Sequence, residues 1–273
     1  MIRLVLVDVD GTLVGAHGAH PSTWDAIERA RARGVHVALC TGRIGSGLAL
    51  EYARRVEGGG YHVFQNGAVV SRPGRPAEYV SALPEDTFRA MVAVSRREGQ
   101  PLEAYSETRF FLERHDALTR VHERNLEMTA EMADFDALPE PVVRAQWVVE
   151  EARWPHYRDL TLALGGVEAN PAKAPWSPGT VFGNVTRAGT SKVTAMRWLL
   201  ARLGLERGQV AMIGDAVNDL ETMREAGLAI AMGNAEAPVK AEAAAVVASV
   251  DDGGLAEAVD IAIGLAVPRP GTT

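Results

Sequence analysis

The sequence predicts an α/β protein in which a parallel sheet forms the core and an α+β domain is inserted into that core. Short, continuously apolar strands alternate with helical patterns in the first third of the chain and again in the last third. This alternation is typical of parallel sheets covered by helices on both faces. Between the two parts the regular alternation is lost. We therefore expect a core of residues 1–82 and 180–273, and an inserted α+β cap domain of residues 83–179.

The first third of the chain contains three predicted strands, two predicted helices and a hairpin. Ser22 opens the first helical pattern and Gly34 follows its end, as the residue preferences of helix termini suggest. The hairpin is expected to turn at residues 72–75, RPGR. In order, we expect a strand at 3–9, a helix from 22, a strand at 35–40, a helix at 44–55, a strand at 61–65 and the hairpin at 68–80.

The inserted segment has its own aromatic content. We expect the indole rings of Trp147, Trp154 and Trp176 to pack in the core of the cap, and the alternative is a stacking surface for a sugar or a pyridoxal ring. The predicted elements are a helix at 84–98, strands within 101–112, a helix at 115–127, a strand at 142–150 and a further strand at 161–166.

The alternation of strands and helices resumes after the insertion. The C-terminal segment VPRPGTT, residues 267–273, is expected to be frayed. Before it we expect a helix at 190–203, a strand at 209–213, a helix at 217–226, a strand at 228–232 and a helix at 254–264.

Composition excludes several classes of function. The net charge of −7 and the pI near 5.6 argue against a nucleic-acid-binding protein, which usually carries a basic face. No apolar run has the length of a membrane span, and the N-terminus lacks the apolar core of a signal peptide. The single cysteine, Cys40, excludes an internal disulfide and is expected to be a buried, unreactive thiol. These features predict a cytoplasmic protein; monomer and small homo-oligomer both remain open.

Polar residues follow three of the predicted core strands, at the point where each strand ends. In an open parallel sheet, ligands bind outside the carboxyl ends of the strands, so these residues are expected to converge on one site. They are Asp8 and Asp10 after the first strand, Thr41, Gly42 and Arg43 after the second, and Asp215, Asn218 and Asp219 after QVAMI.

Four aspartates in this group suggest a metal site. Carboxylate oxygens without histidine or cysteine favour a hard cation, and Mg²⁺ before Ca²⁺ or Zn²⁺. The hydroxyl of Thr41, the backbone N–H of Gly42 and the amide of Asn218 suit a phosphate group. The alternative is that the aspartates only cap helices, but this leaves two acids flanking Val9 unexplained.

Lysine is rare in this chain. There are three lysines, against 25 arginines among the 28 basic residues. Lys192, at the start of the helix at 190–203, is therefore expected to be needed as a compact ammonium that arginine cannot replace. The alternative is compositional drift.

At this point four segments match the motifs of a known family. DVDGTLV, CTGR, TSK and GDAVND resemble, in order and spacing, the four motifs of the haloacid dehalogenase-like (HAD) hydrolases. FQNGAVV, GLAIAMGNA and DDGGLAEAV resemble the Cof-type branch, subclass IIB, which has a large α+β cap between the second and third motifs. The resemblance covers the core but not the cap. It implies a Rossmann-like core and an Mg²⁺-dependent phosphatase acting on small phosphorylated metabolites such as sugar phosphates.

The resemblance also implies roles for individual residues. Asp8 would be the nucleophile that forms an aspartyl-phosphate, and Asp10 would be the general acid and base. Mg²⁺ would bind the Asp8 carboxylate, the Asp10 backbone carbonyl and Asp215. The groups that would hold the phosphoryl oxygens are Thr41, Gly42, Lys192 and Asn218, with Asp219 and Arg43 supporting them.

Three other functions remain as alternatives. A phosphomutase of the same superfamily would use the same core residues, and a small-molecule sensor on this fold would not be catalytic. The segment GRIGSG, residues 42–47, lies between a strand and a helix but has the order GxxGxG rather than GxGxxG, which argues against a dinucleotide-binding loop.

Overall fold

The computed structural model describes residues 1–174 and 177–267. The chain divides into two compact units. The first contains residues 1–43, residues 48–79 and the chain from residue 191 onward; the second contains residues 44–47 and 80–190. Residues 80–82 and 180–190, which the sequence places in the core, lie in the second unit.

The elements are as follows. The N-terminal part contains β1 (Leu4–Val7), α1 (Ser22–Ala32), β2 (His36–Leu39), α2 (Gly47–Glu57), β3 (His62–Phe64), β4 (Val69–Ser71) and β5 (Tyr79–Val80). The inserted part contains α3 (Glu85–Glu98), β6 (Leu102–Tyr105), β7 (Phe110–Leu112), α4 (Ala117–Leu126), β8 (Glu131–Met132), β9 (Arg144–Glu150), α5 (Trp154–Ala163), β10 (Val167–Ala172) and β11 (Thr180–Arg187). The C-terminal part contains α6 (Lys192–Leu203), β12 (Val210–Gly214), α7 (Leu220–Glu225), β13 (Leu228–Ala231), α8 (Ala237–Glu242), β14 (Ala245–Val246) and α9 (Gly254–Ala262). None of the helices in the described part of the chain is long and apolar enough to cross a membrane.

The first unit is built on a five-stranded parallel sheet with the strand order β14-β13-β12-β1-β2. β1 lies between β12 and β2, and all four of its residues are buried, because helices cover both faces of the sheet. The α/β fold with a parallel-sheet core is therefore confirmed. The carboxyl ends of β12, β1 and β2 are neighbours, so the residues that follow them meet at one edge.

β3 joins this sheet through backbone hydrogen bonds beyond the end of β2, such as that from the N–H of Thr41 to the Val63 carbonyl at 3.0 Å, and through a histidine side chain. A single parallel bridge, Cys40 to Val63, links it to the end of β2. The buried His62 accepts the N–H of Leu39 at its Nδ1, at 3.1 Å, and donates from its Nε2 to the Glu57 carbonyl, at 3.0 Å. Burial lowers the pKa of His62 to about 4, so the ring stays neutral and keeps both bonds. β3 then continues into a three-stranded sheet with β4 and β5, which contains the expected hairpin.

Cys40 follows β2 and is fully buried, as expected. Burial raises the pKa of its thiol to about 12. The side chain therefore stays protonated near neutral pH, and because the thiolate is the reactive form, the prediction of an unreactive thiol is supported.

The second unit contains a six-stranded sheet with the order β10-β11-β9-β6-β7-β8. Neighbouring strands in this sheet are antiparallel, except for β7 and β8, which are parallel. Trp147 and Trp154 pack in the apolar cluster between this sheet and the helices α3 and α5, as expected for core residues. Trp176 lies outside the described residues, as does most of the C-terminal segment that we expected to be frayed.

The prediction of a strand at 161–166 is wrong. Residues 161–163 form the last turn of α5, and residues 165 and 166 are glycines with positive φ that follow the helix. Trp154, Tyr157 and Thr161 recur at helical spacing and are the buried face of α5. The apolar run TLAL is too short to distinguish a strand from a buried helix end by its composition.

Candidate active site

Asp8 follows β1 directly and continues its hydrogen bonding, since its N–H donates to the Ile213 carbonyl at 3.1 Å. The side chain is 7% exposed, which is unusual for a carboxylate. Its Oδ1 accepts a hydrogen bond from the Nζ of Lys192 at 2.6 Å. A buried acid with a buried cationic partner is therefore present at the end of the central strand.

The sequence TSK explains how Lys192 reaches this position. Ser191 is the N-cap of α6: its hydroxyl accepts the N–H of Thr194, and the Thr194 hydroxyl accepts the N–H of Ser191. The helix therefore begins at Lys192. Its ammonium is 2% exposed and donates both to Asp8 and, at 2.7 Å, to Oδ1 of Asp219. An isolated buried charge is very costly, so the ammonium of Lys192 and the carboxylates of Asp8 and Asp219 stabilise one another.

Asp215 follows β12 and faces the turn after Asp10. Its Oδ1 accepts a hydrogen bond from the Thr12 hydroxyl at 2.8 Å. Gly11 has a φ of +82° and lies so close that a Cβ at this position would overlap the Asp215 carboxylate. The sequence DVDGT thus supplies both a glycine that allows the approach and a threonine that orients the acid. Thr12 is not among the predicted site residues.

Asp8, Asp215 and Asp219 form an acidic cluster in which one carboxylate oxygen from each residue lies within 4.8 Å of the others. Burial is the largest cause that raises the pKa of Asp8, to about 7, where repulsion by Asp219 and Asp215 adds to it and Lys192 opposes it. Burial likewise raises the pKa of Asp215 to about 6. A cation placed against these oxygens would relieve that cost, so the all-oxygen donor set fits a hard divalent ion.

The hydrogen bonds distinguish the acids that can serve as ligands. Asp219 is occupied: its Oδ1 accepts from Lys192, and its Oδ2 accepts the backbone N–H groups of Asp215 and Ala216 at 3.2 and 3.3 Å. Asp8 uses one oxygen for Lys192, and Asp215 uses one for Thr12. Asp8 and Asp215 therefore retain the greater capacity to bind a metal.

The carboxylate of Asp10 makes a different contact. It accepts two parallel hydrogen bonds from Arg43, Nε to Oδ2 at 2.9 Å and a terminal nitrogen to Oδ1 at 2.6 Å. Its side chain is 61% exposed. Two-point pairing of this kind holds a carboxylate in a defined orientation. Arg43 therefore occupies both oxygens of this carboxylate, and the metal role expected of the Asp10 backbone carbonyl stays a prediction.

Thr41, Gly42 and Asn218 gather around the turn Gln65–Gly67. The Thr41 carbonyl accepts the N–H of Asn66 at 3.0 Å, and the Thr41 hydroxyl accepts the N–H of Arg43 at 3.1 Å. Asn218 donates from Nδ2 to the Oδ1 of Asn66 at 3.4 Å, and the same Oδ1 lies against Gly42. The residues expected to bind phosphate from two separate loops thus meet at Asn66.

Two further residues were missed as parts of the site. Asn66 lies in the segment FQNGAVV, and Asn234 lies in GLAIAMGNA. Asn234 donates from Nδ2 to the Gly11 carbonyl at 2.7 Å and accepts the N–H of Val250 at its Oδ1 at 2.9 Å, so it anchors the turn after Asp10. In the sequence, both segments are recognised only as matches to the Cof-type branch. No site role is predicted for the two asparagines, because contacts between distant loops cannot be seen in local patterns.

Comparisons with known proteins find matches over most of the chain. Residues 5–259 match the family model described as haloacid dehalogenase-like hydrolase. A relative in Bacillus subtilis, named "Putative phosphatase YxeH", is 28% identical over 244 residues, which is 86% of this chain and 88% of that protein.

Solved structures show the same fold. A haloacid dehalogenase-like hydrolase from Bacteroides thetaiotaomicron superposes with a TM-score of 0.84 at 24% identity, covering 95% of this chain and 99% of that one. A sugar phosphatase of HAD subclass IIB, BT4131, superposes with a TM-score of 0.78 at 25% identity, covering 97% of this chain and 100% of that one. Both likenesses extend through the inserted unit as well as the parallel-sheet unit.

Proposed function

The chain belongs to the haloacid dehalogenase-like hydrolases, and we propose that it is an Mg²⁺-dependent phosphatase that hydrolyses small phosphate monoesters through an aspartyl-phosphate. The observation that carries this proposal is the buried Asp8, held by Lys192 beside Asp215. A phosphatase of this kind needs a carboxylate nucleophile, a cation that offsets the charge of the phosphate, and a second acid. Asp10 supplies that second acid two residues away.

Asp8 is proposed to be the nucleophile. A carboxylate oxygen of Asp8 forms a bond to phosphorus, and the bond between phosphorus and the ester oxygen breaks. One oxygen of the Asp8 carboxylate attacks phosphorus and the other remains available to a metal ion, while Lys192 donates to Oδ1. The ammonium also offsets the negative charge that spreads over the phosphoryl oxygens in the transition state.

Asp10 is proposed to transfer protons in both steps. Its carboxyl group gives a proton to the leaving ester oxygen and then takes one from the water that attacks the aspartyl-phosphate. That attack breaks the bond between phosphorus and Asp8 and releases inorganic phosphate. Arg43 holds the carboxylate by both oxygens, so it must release at least one of them when Asp10 acts as an acid. Arg43 is therefore proposed to position Asp10.

The phosphoryl oxygens are proposed to be held by donors from three loops. The hydroxyl of Thr41, the N–H of Gly42 and the amide of Asn218 contribute donors, and Lys192 contributes the charge. Asp219 keeps the ammonium in place through its 2.7 Å hydrogen bond. Because each donor is fixed by its own backbone or side-chain contacts, little reorganisation is needed when substrate binds.

The residues present fit Mg²⁺. The Asp8 carboxylate, the Asp10 backbone carbonyl and Asp215 are proposed as its protein ligands. When bound, the ion supplies positive charge that allows an anionic nucleophile to approach an anionic phosphate. Asp219 is proposed to support the site through Lys192 and the backbone of residues 215 and 216, rather than as a direct ligand.

Sugar phosphates are the proposed substrate class. The likeness to the subclass IIB sugar phosphatase extends over 97% of this chain, and therefore includes the inserted unit that accompanies the catalytic residues. The active-site residues named above contact only the phosphoryl group and the leaving oxygen in this proposal. Selection among sugar phosphates is accordingly assigned to the inserted unit.

Phosphate release from a panel of phosphomonoesters, with Mg²⁺ and with EDTA, tests the proposal. We expect metal-dependent release by the wild-type protein and a loss of more than about 1,000-fold in Asp8→Asn, because an amide is not a nucleophile. Asp25→Asn, which changes an exposed aspartate of α1, is the matched control and should retain activity. Mass spectrometry of a quenched reaction should find phosphate on the peptide that contains Asp8. Full activity of Asp8→Asn, or interconversion of sugar phosphates without release, would contradict the proposal.

A further inference from the structure

The turn Gln65–Gly67 has an unusual backbone. Gln65, Asn66 and Gly67 have φ values of 51°, 55° and 96°, so three consecutive residues lie in the left-handed region. Gly67 adopts this conformation freely, but Gln65 and Asn66 carry side chains that disfavour it. Such a conformation persists where its surroundings determine it, and it is frequent at functional sites.

The backbone of this turn is packed against two of the loops that form the active site. The N–H of Gln65 donates to the Arg43 carbonyl at 2.9 Å, and the N–H of Asn66 donates to the Thr41 carbonyl at 3.0 Å. A Cβ at Gly67 would overlap the carbonyl oxygen of Ser191, the N-cap of the helix that begins with Lys192. The turn therefore touches both the loop that carries Thr41 and the start of α6.

The side chain of Asn66 connects to the third loop. Its Oδ1 accepts the hydrogen bond from Nδ2 of Asn218, and it lies 3.0 Å from where a Cβ on Gly42 would be. Asn218 is exposed, on a short 3₁₀ turn from Val217 to Asp219. The contact with Asn66 uses one of the two amide protons of Asn218 and leaves the other for a ligand oxygen.

We propose that Asn66 is a positioning residue. It orients the amide of Asn218 and holds it beside Gly42, so that this amide and the backbone N–H of Gly42 donate hydrogen bonds to the same phosphoryl oxygens. This inference rests on the proposed phosphatase function, since it assigns Asn218 to the phosphate. An exposed amide without a fixed partner loses rotational freedom when it binds a ligand, and this weakens binding. Asn66 removes that cost in advance, because its own conformation is fixed by the turn.

A double-mutant cycle separates positioning from direct contact. The three variants are Asn66→Gly, Asn218→Ala and the double variant, and glycine keeps the positive φ while it removes the amide. The readouts are the Kd of inorganic phosphate with Mg²⁺ by calorimetry, and kcat and KM for a phosphomonoester. If Asn66 acts through Asn218, Asn66→Gly weakens phosphate binding and kcat/KM by about 10-fold, as is usual for residues that orient a ligand-binding group. The double variant is then no weaker than Asn218→Ala alone.

Glu127→Gly is the matched control. Glu127, in the second unit, is an exposed non-glycine residue with a φ of 53°, so its replacement relieves the same kind of backbone strain without removing an active-site amide. We expect no change in phosphate binding for this variant. Thermal unfolding of all variants tests whether a variant that binds phosphate more weakly is still folded.

Two sets of results would overturn the inference. Additive effects of the two substitutions would mean that Asn66 acts independently of Asn218, and an unchanged Kd in Asn66→Gly would mean that it orients nothing. The phosphate Kd also separates this inference from the proposed function. If the wild-type protein binds phosphate but hydrolyses no ester, the proposed phosphatase function is contradicted. The double-mutant cycle of phosphate Kd values still decides the role of Asn66 in that case. Absence of phosphate binding by the wild-type protein overturns both.

Discussion

Replacing Lys192 with methionine removes the cation that bridges Asp8 and Asp219. Methionine has a similar length and no charge, so the substitution leaves the packing of the side chain nearly intact. The two acidic side chains that lose their partner are almost completely buried, at 7% and 0% exposure. They also lie within 4.8 Å of Asp215, so the variant holds a buried cluster of negative charge without compensation.

The expected cost follows from this burial. Breaking a buried ion pair by removing one partner costs about 3–5 kcal/mol, which for a protein of this size lowers the Tm by roughly 5–15 °C. The cost depends on pH. Lys192 has a pKa raised above its unfolded value by Asp219 and Asp8, against the opposing effect of burial, so its stabilising contribution is present throughout the neutral range. The pKa of Asp8 is already about 7 and rises further without Lys192, so Asp8 is protonated near pH 6 and the cost is smaller there than at pH 8.5.

Thermal and denaturant unfolding at pH 6 and pH 8.5, with and without Mg²⁺, measure this cost. We expect the difference from wild type to grow with pH, and Mg²⁺ to restore part of the stability by neutralising the acids. We also expect kcat to fall by at least about 100-fold, the usual effect of losing one group that stabilises the transition state. Lys173→Met is the matched control: the side chain of Lys173 is 63% exposed in a surface pair with Glu151, so stability should change by less than about 0.5 kcal/mol.

A Lys192→Met variant that unfolds like Lys173→Met at pH 8.5 would refute the reasoning, because the buried acids would then need no cation. The Lys192→Arg variant keeps the positive charge and changes the shape of the group that carries it. The planar guanidinium is larger than an ammonium and donates in a fixed fork, so we expect it to fit poorly between two carboxylate oxygens at 2.6 and 2.7 Å. Full activity of Lys192→Arg would show that a compact ammonium is unnecessary.

Two further predictions concern the acids. Because the pKa of Asp215 is about 6 and that of Asp8 is about 7 in the metal-free protein, Mg²⁺ must displace protons at low pH, and its affinity should rise as pH increases through 6 to 7. Calorimetry in buffers of different ionisation enthalpy should detect the released protons, and a constant Kd from pH 5.5 to 8 would contradict this expectation. Arg43→Gln should reduce kcat by about 10-fold, because Asp10 loses the side chain that orients it. An unchanged kcat would remove Arg43 from the proposed mechanism.

The convergence of the site could be predicted because it depends on strand ends. Asp8, Thr41 and Asp215 each follow a short apolar strand, and the carboxyl ends of parallel strands lie on one edge whatever the order of the strands. The order itself, with β12 and β2 on the two sides of β1, depends on pairing between residues about 200 apart and is not visible in local patterns. The start of α6 could be predicted because Ser191 is a local capping residue.

The parts that could not be predicted depend on contacts between loops. The pairing of Asp10 with Arg43, the bond from Thr12 to Asp215 and the turn at Asn66 join segments whose separation in the sequence carries no periodicity. β11 is a similar case, since no strand is predicted at 180–187. Its partners are β9 and β10, and such pairing between distant segments decides which sheet a strand joins.

The position of β1 between β2 and β12 also has a consequence for biosynthesis. β2 is made soon after β1, but β12 ends at residue 214, after the whole inserted unit. At a synthesis rate of about 5–20 residues per second, roughly 10–40 s pass between the synthesis of β1 and that of its second neighbour, β12. During that time one edge of an apolar strand is unpaired, a state that favours aggregation. The inserted unit can fold earlier, since its sheet draws all its strands from residues 102–187. The nascent chain is therefore expected to need a chaperone for the segment that bears Asp8, and to complete the proposed catalytic centre late.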